Sequence, residues 1–84
     1  MISNELIVKI DTIDKLKNFV SKTILFDYEI DVIRGRYTID GKSILGLFSI
    51  SLLEPICVRI LTEDKEVIRR FNEEMEEFRI EYNG

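Results

Sequence analysis

Apolar residues recur at two spacings along the chain, and these spacings predict four strands and three helices. An apolar residue at every second position is typical of a strand with one buried face, because successive side chains point to opposite sides of a sheet. This alternation predicts strands over residues 5–10, 28–33, 36–40 and 56–61. The apolar residues expected on one face of these strands are Leu6, Val8, Ile10, Tyr28, Ile30, Val32, Tyr37, Ile39, Ile56, Val58 and Ile60.

Helices are predicted where apolar residues recur every three or four positions. The first helix follows Asp11 or Thr12, either of which is expected to cap it. Its apolar stripe comprises Ile13, Leu16, Val20 and Ile24, with Phe19 beside it. A short helix is expected from Ser43 to about residue 49, and a longer one closes the chain with Thr62 as its expected cap. The stripe of that last helix comprises Val67, Ile68, Phe71, Met75 and Phe78.

The predicted order is therefore β-α-β-β-α-β-α. It predicts an α+β fold, an open-faced sandwich in which three helices cover one face of a four-stranded antiparallel sheet. Gly35 lies between the second and third strands, where a glycine supplies the positive φ that tight hairpins need. With 84 residues, the chain has the size of one small domain, and residues 1–84 are expected to form it.

Composition and charge narrow the possible functions. A net charge of −4 argues against direct nucleic-acid binding, which requires a basic face. The single cysteine, Cys57, excludes an internal disulfide. The N-terminus lacks the basic region and cleavage site of a signal peptide, and the longest apolar stretch is too short to span a bilayer. A cytoplasmic protein without membrane contact is the expectation.

Candidate chemistry is sparse. The chain has no histidine, and Cys57 has no histidine base to activate it, so neither a metal site nor another cofactor is expected. The triplet Gly41-Lys42-Ser43 invites comparison with the phosphate-binding P-loop, but Arg36 stands where that motif needs a glycine. No catalytic residue emerges, and the protein is not expected to be an enzyme.

Residues 41–48, with the sequence GKSILGLF, carry the most informative motif. They resemble the helix-opening serine region of the HPr family, the histidine-containing phosphocarriers of the bacterial sugar phosphotransferase system. Residues 29–32 and the pair Phe19-Val20 extend the resemblance, which covers nearly the whole chain. It implies the HPr arrangement of the predicted fold.

The resemblance also implies that the phosphocarrier site is not retained. Counted back from Ser43, the family's phosphorylated histidine falls at Thr12. The arginine that supports its phosphate falls at Asp14, and the following proline falls at Lys15. A threonine hydroxyl forms a stable ester rather than a high-energy N–P bond, and the carboxylates of Asp11 and Asp14 repel phosphate. We therefore expect an HPr-like protein without phosphocarrier activity.

The second-helix motif implies a different role. In many Gram-positive HPr proteins a dedicated kinase phosphorylates the serine that matches Ser43. A phosphate on Ser43 would meet free N–H groups at the helix start, with Lys42 expected beside it. Ile44, Leu45 and Phe48 match the family's exposed apolar patch, which docks onto partner enzymes and regulators. Leu47, with Ile50 or Leu52 beyond it, is expected to point inward instead.

These features predict a regulatory or docking protein related to the sugar phosphotransferase system. It resembles the catabolite-repression paralogue of HPr, which lacks the active histidine but retains the regulatory serine. The expected partner is a protein: a kinase, a transcriptional regulator or a transport component. Two alternatives remain open. The same patch would mediate a symmetric self-contact in a structural domain, with a monomer or weak homodimer expected. A ferredoxin-like small-molecule sensor would share most of the element order, and strand order distinguishes it.

Overall fold

The computed structural model describes residues 3–50 and 54–81, and its elements follow the predicted order β-α-β-β-α-β-α. The strands are β1 (Glu5–Val8), β2 (Ile30–Arg34), β3 (Tyr37–Asp40) and β4 (Ile56–Ile60), and the helices are α1 (Ile13–Thr23), α2 (Ile44–Phe48) and α3 (Lys65–Met75). Within the described residues, none of the helices is both long enough and apolar enough to cross a membrane.

The four strands form one antiparallel sheet in the order β1-β4-β2-β3. Val58 in β4 lies opposite Leu6 of β1 on one side and Val32 of β2 on the other. The central strands are thus β4 and β2, whereas a ferredoxin-like sheet has β1 and β3 at its centre. The predicted open-faced sandwich is confirmed, and the ferredoxin-like alternative is wrong.

The hydrophobic core lies between one face of the sheet and the helices. Its buried members are Leu6, Val8, Ile10, Leu16, Phe19, Phe26, Ile30, Val32, Leu47, Ile56, Val58, Ile60, Phe71, Met75 and Phe78. Two edge-to-face ring pairs lie within it: Phe19 with Phe78 at 5.6 Å between centroids, and Phe26 with Phe71 at 6.1 Å. The opposite face of the sheet carries half-buried and charged side chains, as an open-faced sandwich requires.

The buried face of α1 differs from the predicted stripe. Ile13 and Ile24 are 58% and 59% exposed, respectively. The residues buried on this helix are Leu16, Phe19 and Thr23. The helix ends at Thr23, so Ile24 is already its C-cap and lies beyond the surface that packs on the core. Thr23 can be buried in the core because its hydroxyl lies within hydrogen-bond distance of backbone carbonyl groups.

All four strands are shorter than the alternation predicts. β2 begins at Ile30, so Tyr28 precedes it and is 37% exposed. β1 ends at Val8, although Ile10 is buried beyond it. Tyr37 shares a face with Ile39 but is 64% exposed, because β3 is an edge strand whose outer part the helices do not cover. β4 ends one residue before the predicted limit of 61.

The cap of α3 is Asp64 and not Thr62. Asp64 Oδ1 accepts hydrogen bonds from the backbone N–H of Glu66 at 3.0 Å and of Val67 at 3.3 Å. Thr62 Oγ1 accepts from Asp64 N–H at 3.1 Å, so it orders the turn that precedes the cap. Because α3 begins at Lys65, the capping position falls on the residue just before it. The helix ends at Met75, and Phe78 is buried in the following turn.

Candidate functional site

Ser43 begins α2 as its N-cap. Its backbone is extended, with φ −105° and ψ 106°, and its Oγ accepts a hydrogen bond from Gly46 N–H at 3.2 Å. The side chain is half-buried. A capping serine satisfies one N–H group that the first turn of a helix leaves without a partner. Ser43 therefore starts a helix of five residues and holds its hydroxyl over that first turn.

Two glycines of the motif lie in close contact with the β2–β3 hairpin, Gly41 at the end of β3 and Gly46 within α2. A Cβ atom on Gly41 would lie 2.8 Å from Ile30 Cγ2 and 2.9 Å from Ile30 O. A Cβ atom on Gly46 would lie 2.9 Å from Ile39 Cγ2. Both separations are shorter than non-bonded carbon contacts allow. The conformation of residues 41–48 thus depends on packing as well as on the cap at Ser43.

Lys42 does not lie beside Ser43 as a free cation. Its Nζ donates a hydrogen bond to Phe26 O in the connection between α1 and β2. Thr23 makes a second link to the same segment, because its buried Oγ1 donates to Gly41 O at 2.8 Å. These two contacts tie the start of α2 to the end of α1. In this geometry the Lys42 ammonium is engaged at Phe26 O and not at Ser43.

The exposed apolar surface of α2 consists of Leu45 and Phe48, which we call the α2 patch. Leu45 is 80% exposed and Phe48 is 52% exposed. Ile44, which was expected in the same exposed patch, is half-buried and packs against the core. Ile44 is the first residue of α2, and Gly46 brings the inward side of this helix close to Ile39. Part of the Ile44 side chain is therefore covered.

The inward side of α2 is anchored by Leu47, which is fully buried as the sequence predicts. Ile50 is partly buried against the same core. The alternative inward residue, Leu52, lies outside the described residues. With Leu47 fixed inside, a five-residue helix must turn other positions outward, which accounts for the α2 patch.

The start of α1, where the resemblance places a phosphocarrier site, has an ordinary capping geometry. Thr12 is exposed, and its Oγ1 accepts from Lys15 N–H at 3.1 Å. Lys15 Nζ pairs with Asp11 Oδ1 at 3.0 Å. This hydrogen bond and the lysine's positive charge lower the pKa of Asp11 below its usual value. Asp14 adds a second exposed acidic side chain in the first turn.

The structure brings together only some of the candidate residues. Ser43, Leu45 and Phe48 share the five-residue helix α2. Thr12 and Asp14 lie at the start of α1, whereas the hydrogen bond from α1 to Gly41 comes from Thr23 at its other end. Sequence reasoning missed the packing role of Gly41 and Gly46. The available signal was that a glycine lies close to Ser43 on each side.

Cys57 is half-buried on the open face of the sheet. Burial, and to a lesser degree the charge of Glu5, raise the pKa of the Cys57 thiol. A raised pKa keeps the thiol protonated and weakly nucleophilic. Among residues 3–50 and 54–81, no group of three potential metal-ligating side chains lies together.

Strand order, the one-sided helical layer and the short α2 define an HPr-like open-faced sandwich. One solved structure that is similar to this chain is the crystal structure of HPr-C-His from Thermoanaerobacter tengcongensis. The two chains share 20% sequence identity with a TM-score of 0.68, and the match covers 89% of this chain and 92% of the other. No protein-family model and no curated protein matches the chain. The similarity establishes the shared fold.

Proposed function

We propose that this protein is an HPr-like docking and regulatory protein without phosphocarrier activity, related to the sugar phosphotransferase system. It acts by contact with other proteins and not as an enzyme. Its single domain works in the cytoplasm, away from nucleic acid and membranes. The observation that carries the proposal is the exposed α2 patch next to a capped Ser43, in a chain without histidine.

The α2 patch supports docking because its two large apolar side chains lie on the same short helix. Leu45 is the most exposed of the large hydrophobic residues described, at 80%. Exposed apolar residues that cluster are typical of contact sites, and aromatic residues such as Phe48 are enriched in their centres. Ile44 is half-buried, so we propose that it supports the patch from its edge.

The start of α1 supports the loss of phosphoryl transfer. Thr12 uses its hydroxyl oxygen to cap α1, and the neighbouring Asp11 and Asp14 make this end acidic. A phosphocarrier needs an imidazole that accepts and releases a phosphoryl group, together with cationic support. Lys15, the nearby cation, is already paired with Asp11. We propose that Thr12 and Asp14 mark a degenerate phosphocarrier site with a structural role.

Ser43 is the proposed regulatory position. Phosphorylation would place a dianion at the start of α2, where backbone N–H groups favour negative charge. It would also replace the neutral hydroxyl that now accepts a hydrogen bond from Gly46 N–H. The phosphate would put negative charge next to Leu45. A phosphate beside the α2 patch would therefore change which partners that patch accepts. Protein partners in this role are a kinase, a transcriptional regulator or a transport component.

The test is to incubate the protein with ATP and a bacterial serine kinase that modifies HPr proteins, and to measure intact mass. We expect the wild-type chain to gain one phosphoryl group, and peptide mapping to place it on Ser43. The matched control, Ser43→Ala, should stay unmodified. If a genuine HPr protein is modified in the same tube and the wild-type chain is not, the regulatory role of Ser43 is wrong.

A further inference from the structure

The sheet has two edge strands, β1 and β3, and these differ in how they are covered. Along β1, Lys9 N–H donates to Phe78 O at 2.9 Å. Ile80 N–H donates to Ile7 O at 3.1 Å, so the chain after α3 runs beside β1. Within residues 3–50 and 54–81, no strand pairs with the outer side of β3. An uncovered edge is a template for pairing with another strand.

The outer side of β3 presents backbone donors and acceptors in alternation. Gly41 N–H donates inward to Ile30 O at 2.7 Å, and alternate residues of an antiparallel strand face the same neighbour. The residues between them therefore turn outward. Thr38 directs both its N–H and its C=O to the open side, Asp40 directs its N–H there, and Arg36 directs its C=O there. These groups suit an antiparallel partner strand.

Asp40 also has an unfavourable neighbour within the sheet. It lies directly opposite Asp31 of β2 on the open face. Like charges in that position are destabilising. Arg59 lies opposite Asp31 on the other side, but its guanidinium pairs with Glu5, with Nε 2.6 Å from Oε1. Asp40 Oδ1 accepts a hydrogen bond from Lys42 N–H at 2.9 Å, and a cation that approaches the β3 edge from outside would offset the repulsion from Asp31 that remains.

We propose that two copies of the chain pair their β3 strands antiparallel about a two-fold axis through Thr38. Each Thr38 then exchanges both backbone hydrogen bonds with Thr38 of the second copy. Each Asp40 lies opposite Arg36 of the second copy and donates its N–H to that residue's C=O. Each exposed Tyr37 lies against Ile39 of the second copy. The result is one continuous sheet with a self-complementary contact.

Charge selects this register over its neighbours. A two-fold axis through Asp40 would set that carboxylate against itself, and an axis through Arg36 would oppose two guanidinium groups. With an axis through Tyr37 or Ile39, neither Arg36 nor Asp40 lies across from a residue of opposite charge on the facing strand. Only the axis through Thr38 places Arg36 of one copy opposite Asp40 of the other. The two-fold symmetry forms this ion pair twice. The edge also carries no proline, since the chain's single proline is Pro55.

Sedimentation equilibrium of charge-reversal variants tests the register. Arg36→Glu and Asp40→Lys should each weaken dimerisation about tenfold or more, because each replaces two attractive pairs with two repulsive ones. An equimolar mixture of the two variants should dimerise again, since every cross-strand charge pair is then attractive. If the mixture sediments as monomers while both variants are folded by circular dichroism, the proposed register is wrong.

A backbone variant tests the edge itself. Thr38→Pro removes a donor that faces the open side and makes no bond within the chain, so the fold should persist while the dimer is lost. Thr38→Val is the matched control, because it keeps the N–H and the strand preference and should dimerise like wild type. Because Arg36 lies in the exposed hairpin turn, Arg36→Glu decides the result if either Asp40→Lys or Thr38→Pro fails to fold.

Two results would overturn the proposal. One is a wild-type chain that remains monomeric up to about 1 mM, which corresponds to a binding free energy weaker than about −4 kcal/mol. The other is a dimer that Phe48→Glu dissociates and Thr38→Pro leaves intact, because the contact would then be the α2 patch. Docking to other proteins through the α2 patch does not depend on the β3 edge. A failure of that docking and a failure of the β3 pairing therefore give different results for Phe48→Glu and Thr38→Pro.

Discussion

Gly41 and Gly46 leave no room for a side chain, and they do so for reasons of packing rather than backbone conformation. Neither has a positive φ, whereas Gly35 has φ +58° and open space around it. The sequence predicted the role of Gly35, because a glycine between two alternating segments is a recognised turn signal. It did not predict the close approaches at Gly41 and Gly46, because these depend on how β3 pairs with β2 and on where α2 packs.

Substitution of Gly41 tests the closest of these approaches. We expect Gly41→Ala to lower the free energy of unfolding by about 1–3 kcal/mol, because the new methyl group meets the Ile30 backbone, which cannot move aside without disturbing β2. Urea denaturation followed by circular dichroism measures the change. Gly35→Asn is the control, since asparagine tolerates the left-handed region and nothing lies within 4 Å. Equal stability of Gly41→Ala and wild type would contradict the packing account.

At the scale of elements, the apolar periods predicted each helix and strand but not all of their limits. The α1 stripe was misplaced because Ile13 and Ile24 fit the helical period equally well as Leu16, and only the position of the core distinguishes them. The α3 cap was misplaced because Thr62 and Asp64 are both good capping residues. Which one caps depends on where the helix begins, and β4 ends only a few residues earlier.

The α3 cap gives a direct comparison of two neighbouring residues. Asp64→Ala should lower the free energy of unfolding by about 1 kcal/mol, because two N–H groups of the first turn lose their acceptor. Thr62→Ala should cost less, because Thr62 accepts only the N–H of Asp64. Thermal unfolding of both variants measures the order. A larger loss for Thr62→Ala would contradict the assignment of the cap.

At the scale of the whole molecule, element order and the resemblance of residues 41–48 together predicted the topology. Element order alone does not, because a ferredoxin-like fold shares most of it and strand order rests on contacts between distant residues. The strip of chain beside β1 was also unforeseen. Phe78 looked like the last member of a helical stripe, yet it lies in a turn where its carbonyl binds Lys9 N–H.

The sequence likewise predicted some features of the candidate site and not others. The capping role of Ser43 and the inward position of Leu47 followed from local sequence, since both depend only on α2 itself. The partial burial of Ile44 and the hydrogen bond from Lys42 to Phe26 O depend on neighbouring elements, which no local pattern describes. The exposed remainder, Leu45 and Phe48, is the part of the molecule on which the proposed function rests.

Binding to a bacterial serine kinase that modifies HPr proteins, measured by isothermal titration calorimetry, tests that claim most directly. We expect the wild-type chain to bind and Phe48→Glu to bind about tenfold or more weakly, because a charge replaces an apolar anchor in the contact. Leu61→Glu is the matched control, since Leu61 is 42% exposed just after β4 and lies outside the α2 patch. Docking through the α2 patch predicts unchanged binding for Leu61→Glu. Equal affinity of wild type and Phe48→Glu, or no binding where a genuine HPr protein binds, would contradict it.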